Sequence, residues 1–145
     1  MISPMKKIAL TIVLSLTSII GCNDDDCIIT YSIYGSWEVT DIIDEGITIQ
    51  KESTSDSVVI EFQTDGFLRG MSTYNFLAGR FQLFPNDSIW ISYIGGTEKG
   101  DTELGKKFAE IMPKLIFYKI FCDTTLSLYT SNRNSQINFK KYNRQ

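Results

Sequence analysis

The sequence predicts a mainly β (α+β) fold, a curled antiparallel sheet or small open barrel with one packed helix. Three observations carry this. From Gly35 onward, apolar residues recur at every second position in short runs. Turn-forming Gly, Pro, Asn and Asp separate those runs at short intervals. Only the stretch around 101–115 has helical spacing, and the chain lacks the spacing of repeated strand–helix–strand units, so antiparallel neighbours on short connections are the economical arrangement. With 145 residues, 43% of them hydrophobic, the chain can fill one core, assigned to a domain spanning 35–145.

Taken in order, Trp37 and Val39 alternate with Ser36, Glu38 and Thr40, the pattern of a half-buried strand. Val58 to Phe62 is a second run, ended by the turn residues Thr64-Asp65-Gly66. Gly79 to Phe84 places Phe81 and Leu83 on one face and Arg80 and Gln82 on the other. Pro85 at the second turn position, followed by Asn86 and Asp87, leads into Ser88 to Tyr93 and predicts a hairpin. The helix follows. Asp101 is placed to cap it, and Glu103 in its first turn complements the dipole. Leu104, Phe108, Ile111 and Leu115 form its apolar side, with Glu103–Lys107 and Glu110–Lys114 as i,i+4 pairs opposite. Pro113 ends or kinks it near Met112. Three more strands, 116–121, 125–130 and 136–142, complete about seven, with turns at 122–124 and 131–134.

Ahead of this domain, Lys6 and Lys7 precede an apolar stretch, Ile8 to Ile20, too short to span a bilayer and followed by Gly21-Cys22. These are the marks of an export signal over 1–21, with Met1 and Met5 equally good starts. Ile19-Ile20-Gly21-Cys22 resembles the bacterial lipobox, whose cysteine is acylated and becomes the new N-terminus. Ile19 stands for the usual leucine, and Ile20 is bulkier than the small residue common there. Lipid on Cys22 would make the membrane a partner; the competing reading is an ordinary signal peptide with an incidental cysteine. Asn23-Asp24-Asp25-Asp26 opens a solvated tether, 22–34, and resembles the acidic signal that sends some lipoproteins to the cell surface. The expected address is the outer membrane, surface-exposed, or otherwise its periplasmic face.

Composition excludes much chemistry. The chain has no histidine, so it can hold neither a Ser-His-Asp nor a Cys-His nucleophile system, nor an imidazole metal site. With 14 basic and 17 acidic residues, a net charge of −3, it lacks the basic face that nucleic acid demands. Neither a cofactor nor a metal is expected. Once Cys22 is acylated, Cys27 and Cys122 remain for an oxidising compartment. A bridge between them would close a loop of about 95 residues, worth about 4–5 kcal/mol in the chain-entropy relation. The other reading is two unpaired thiols, with Cys122 a small buried hydrophobe.

Several sequence features tempt. Gly100 to Lys107 falls one residue short of a phosphate loop, because Lys107 stands where a magnesium-holding hydroxyl is required. Asp41, Asp44, Glu45, Asp65 and Asp87 are scattered carboxylates, most at turns or strand ends. Trp37, Tyr74, Phe81, Trp90 and Tyr93 could line a pocket, but strand periodicity assigns them to the core. Ser57, Ser88 and Thr124 each follow Asp and precede an apolar residue or threonine, a short pattern like that of bacterial O-glycosylation sites.

The order of elements resembles the META domain, the HslJ-like family of heat-shock lipoproteins. Gly35-Ser-Trp37 resembles the family's first-strand opening, and Phe62 with Gly66 its second strand and turn. Thr73 to Phe81 resembles its most recognisable stretch: Asn75, Gly79 and Phe81 match, while Tyr74 replaces a cysteine and Leu77 an aromatic. Thr97, Leu126-Ser-Leu128 and Phe139 match later positions. The resemblance implies a stress-associated envelope protein, and it brings no catalytic residues. The expectation is therefore a non-catalytic envelope lipoprotein that binds an envelope partner or contributes to stress tolerance. One alternative is a small lipid or apolar-ligand carrier with an unfilled cavity. Another is an inhibitor of a host or competitor enzyme, using an exposed loop at Asp41 to Gly46. A carboxylate-based hydrolase is the most distant.

Overall fold

The structure, a computed structural model, describes residues 31–53, 56–94 and 100–143. Among these residues nine strands run in the order β1 (Gly35–Asp44), β2 (Ile47–Gln50), β3 (Val59–Phe62), β4 (Phe67–Met71), β5 (Phe76–Phe84), β6 (Ser88–Ile94), β7 (Phe117–Phe121), β8 (Thr125–Tyr129) and β9 (Ser135–Lys141). The helix α1 (Glu103–Ile111) and a 3₁₀ turn (Met112–Lys114) lie between β6 and β7.

All pairings are antiparallel, and β9 returns to β1, so β1 and β3 to β9 close into an eight-stranded barrel. The expected open barrel is closed because β1 is long enough to work on both edges. One edge carries β9 from Trp37 to Asp44. The other is shared, with β3 along Gly35–Glu38 and β2 along Asp41–Asp44. A bulge between Val39 and Asp41 lies between the two halves. Gly79 sits in unbroken register between Leu68 and Tyr93.

Two of the nine strands escape the periodicity argument. β2 is four residues long and leaves only Ile49 half-buried. β4 contains Gly70, placed where a Cβ would overlap the Val59 carbonyl of β3. The side chain that would mark the strand is excluded by close approach of its neighbour.

Alternation then fills the interior. Trp37, Ile42, Ile60, Phe62, Leu68, Phe81, Ile91, Leu126, Leu128, Ile137 and Phe139 point inward and are buried. The core also reaches back beyond the expected domain boundary at Gly35: Ile33 is buried, and its carbonyl accepts from the Trp37 indole at 2.7 Å. Phe62 and Phe81 meet edge-to-face at 4.9 Å, as do Phe108 and Phe139 at 6.5 Å.

The helix inserts Leu104, Phe108 and Ile111 into the core, joined by Met112 and Leu115 just beyond it. It ends before Pro113 in the 3₁₀ turn. Its cap is Thr102, not Asp101: the Thr102 hydroxyl accepts from the Gly105 N–H at 3.2 Å. Of the two expected ion pairs, Glu110–Lys114 forms at 3.2 Å. Lys107 instead turns to Asp44 on β1 at 2.9 Å and to Glu110 at 3.0 Å, where a charge at the barrel rim competes better than an exposed Glu103. In the β5–β6 hairpin, left-handed backbone falls on Asn86 and Asp87 (φ 61° and 54°), with Pro85 leading into them rather than centring the turn.

Candidate functional site: an aromatic groove at the barrel seam

Cys22, Cys27 and Thr97 lie outside the described residues. The other residues singled out by sequence divide into structural parts and exposed ones. Asn75 closes the turn Ser72–Asn75, where its carbonyl accepts from the Ser72 N–H at 2.8 Å and its own N–H donates to Ser72 Oγ at 3.2 Å. Its amide also donates to Asp101 at 3.0 Å, and the Ser72 hydroxyl donates to the same carboxylate. Its φ is not in the left-handed region its residue type would tolerate. Beside it, Asp56 accepts from Thr73 (3.0 Å) and from the helix cap Thr102 (2.7 Å). This cluster ties the entry to β3, the β4–β5 turn and the helix N-terminus together, so both carboxylates are occupied by local donors. No group of three or more Cys, Asp or Glu side chains gathers to hold a metal among the described residues.

The stretch Asp41 to Gly46 is not an exposed acidic loop. Asp41 and Asp44 are on β1, where Asp41 accepts from Asn138 (2.7 Å) and Asp44 from Ser135 (2.5 Å) and Lys107. Only Glu45-Gly46 forms the turn, with φ of 49° and 85°. Those bonds from Ser135 and Lys107 outweigh the opposing effect of burial and hold the Asp44 carboxyl below its usual range.

Ser57 is half-buried and donates to Glu38 at 3.1 Å, so its hydroxyl is engaged. Ser88 opens β6, and Thr124 is exposed in the β7–β8 turn. Cys122 stands in that same turn. It is exposed rather than a buried hydrophobe, with φ at 49°. The turn lies beside the start of the fold, because Lys141 Nζ reaches both Asp123 (3.8 Å) and the Tyr34 carbonyl (3.3 Å).

Of the aromatics assigned to the core, Trp37 and Phe81 are buried, but Trp90 is 53% exposed and Tyr74 is exposed. Trp90 belongs to the outer wall because it shares a face of β6 with Ser88 and Ser92, while Ile89 and Ile91 take the inner face. On the same wall Phe84 is exposed. Ser88 pairs with Phe84 on one side and Phe117 on the other, so a small residue separates two rings, with Trp90 two positions along.

This is also the weakest seam of the barrel. β6 and β7 pair only at Ser88 and Phe117, flanked by Ile89 N–H to the Ile116 carbonyl (2.9 Å) and Tyr118 N–H to the Asp87 carbonyl (2.9 Å). The remainder of β7 runs past the start of β6. Because Tyr118 N–H points toward β6, alternation turns the Ile120 N–H and carbonyl the same way, away from β8. No strand pairs with that edge among the described residues.

Beside it runs a groove of about 380 Å³ lined by Phe117, Lys119, Phe121, Tyr129 and Arg133, with Asn86, Asp87 and Tyr118 at the β6 side. Lys119 lies 4.8 Å from the Phe121 ring and Arg133 5.8 Å from Tyr129. Burial, then the nearby Asp87 carboxylate, pushes the Tyr118 phenol above its usual range, which keeps it neutral. The groove thus offers rings, two cations and a free backbone edge. Of its residues, sequence singles out only Asn86 and Asp87, as turn residues and, for Asp87, as a carboxylate. The available signal was Phe84 sharing a strand face with Arg80 and Gln82, and Trp90 sharing one with Ser88 and Ser92.

No family model matches the chain, and no curated protein matches it. Among solved structures it is similar to a DUF4847 family protein from Bacteroides vulgatus ATCC 8482, with a TM-score of 0.60 at 17% identity, over 77% of this chain and 95% of that one. It is also similar to a protein from Burkholderia xenovorans, with a TM-score of 0.59 at 15% identity, over 76% of this chain and 83% of that one. At such identities the likeness shows the fold alone: a closed antiparallel barrel with one helix.

Proposed function

We propose that the chain is a non-catalytic envelope lipoprotein, held by lipid on Cys22 at the outer membrane and exposed at the cell surface, whose barrel docks a protein partner. The META-like residues add an association with stress tolerance to this reading. The observation that carries the docking role is the seam groove, where exposed rings lie beside an unpaired strand edge. Its occupant is an extended protein segment with apolar and acidic side chains. The edge supplies backbone pairing, the rings supply apolar contact, and Lys119 and Arg133 complement carboxylates.

The carrier alternative needs an internal cavity, and the interior is occupied by Trp37, Phe62, Phe108 and Phe139. The test is a photo-cross-linking residue at position 90 in intact cells, with position 64 in the β3–β4 turn as the control. The expected result is one discrete protein adduct from position 90, absent from the control and lost on Phe117→Ser with the thermal midpoint retained. Equal labelling from both positions, or an adduct indifferent to Phe117→Ser, overturns the reading.

A further inference from the structure

The chain enters the barrel beside the seam. Ile33 is buried, and the Tyr34 ring lies 6.1 Å from Phe81 on β5. Burial and the Asp87 carboxylate raise the Tyr118 phenol most, and the Tyr34 phenol adds to them, so Tyr34 also stands near β7. Its carbonyl accepts from Lys141 on β9, whose backbone N–H in turn donates to Thr124 at 2.7 Å, just beyond the end of β7. Tyr31, the first described residue, therefore lies three positions before a residue held at the barrel end that carries Phe121 and the overhanging edge.

Residues 23–30 lie outside the described residues and read Asn-Asp-Asp-Asp-Cys-Ile-Ile-Thr, three carboxylates followed by two isoleucines. The groove presents the complement, with Phe117, Phe121 and Tyr129 as rings and Lys119 and Arg133 as cations. Among the described residues neither cation forms an ion pair, and Asp87, at the β6 side, is the one carboxylate in the lining. Length and order fit as well. Phe117 to Phe121 covers about 14 Å of β7, whereas the chain from Tyr31 back to Asp24 can extend to about 25 Å. The isoleucines come first from the barrel end, where Phe121 stands. The aspartates come later, toward Lys119 and toward Arg133, which lies by Tyr129, the partner of Phe117.

We propose that the chain's own segment Asp24 to Ile29 occupies the seam groove, isoleucines on the rings and carboxylates on Lys119 and Arg133, and that a protein partner binds by displacing it. The inference rests on the docking role given to the groove above. Joined to the barrel, the segment acts at an effective concentration of about millimolar, so a contact too weak to hold a free peptide still covers the groove. A partner must exceed that local competition, which keeps poorly matched strands off the open edge.

A photo-cross-linking residue at position 119 of the full chain, purified in detergent, should label the peptide containing residues 23–30 of the same molecule. One at position 69, on the exposed face of β4, should not. Ile28→Ser with Ile29→Ser should lower the yield about fivefold or more, and replacing Asp24, Asp25 and Asp26 by asparagine should lower it too. No label in 23–30, equal label from position 69, a yield unchanged in both variants, or label that passes between isotopically distinct chains overturns the proposal. In intact cells the Ile28→Ser, Ile29→Ser chain should give more of the partner adduct at position 90, and an unchanged adduct overturns the displacement. A partner adduct at 90 without the internal adduct from 119 sinks this inference and leaves the docking role standing. The internal adduct without any partner adduct supports occupancy by the chain's own segment and sinks the docking role.

Discussion

Glu38 is the residue whose environment departs furthest from its pattern. It lies on the outer side of β1, yet it is only 8% exposed, and Lys51 and Ser57 from the β2–β3 connection are hydrogen-bonded to it. Burial is the largest single effect and pushes its carboxyl upward. Hydrogen bonds from Lys51, Lys140 and Ser57 together outweigh burial and lower its pKa from 4.5 to about 2. A carboxyl depressed by folding stabilises the folded state above its unfolded value and loses that contribution as pH falls through the folded one. The window is therefore pH 4.5 down to about 2. Denaturant melts across that window should show this loss in the native chain. Glu38→Gln should be less stable at neutral pH and should lack this component of the acid dependence.

Among elements, α1 depends most on contacts outside itself. Its nine residues are too few to be stable alone, so docking and capping must hold it. Thr102 does two jobs: it caps Gly105 and donates to Asp56, which also holds Thr73. Thr102→Ala should cost about 1–2 kcal/mol by chemical denaturation, and Thr102→Ser should recover most of it. The helix was legible in sequence because Leu104, Phe108, Ile111 and Leu115 recur at its period. Its cap was not, because Asp101 and Thr102 are both good capping residues and only the fold brings Asp101 to Ser72 and Asn75. The same limit applies to the seam. Periodicity places Trp90 on a strand, but which face looks outward depends on how the barrel closes.

For the whole molecule, closure converts alternation into a filled interior. Phe108 enters from the helix and meets Phe139 from β9. Phe108→Ala should cost about 3–5 kcal/mol and open an apolar cavity. Binding of a small apolar probe such as benzene, absent in the native chain and present in the variant, would accompany the destabilisation measured by denaturant. Closure also decides which strand edges are left unpaired among the described residues. Ring formation satisfies most strand edges but leaves the lower part of β7 overhanging β6, and it leaves β2 outside altogether.

The β class, the single helix and its buried side, and the central hairpin were all readable before folding, because each rests on local period and turn chemistry. The sequence also set the expectations about histidine chemistry, since composition needs no fold. Tertiary structure decided the closure of the barrel, the existence of β2 and β4, the partner of Lys107, and the exposure of Trp90 and Cys122. Each of these depends on which strands meet and in what register. Residues as distant in sequence as Asp44 and Ser135 must be brought together before such choices are made.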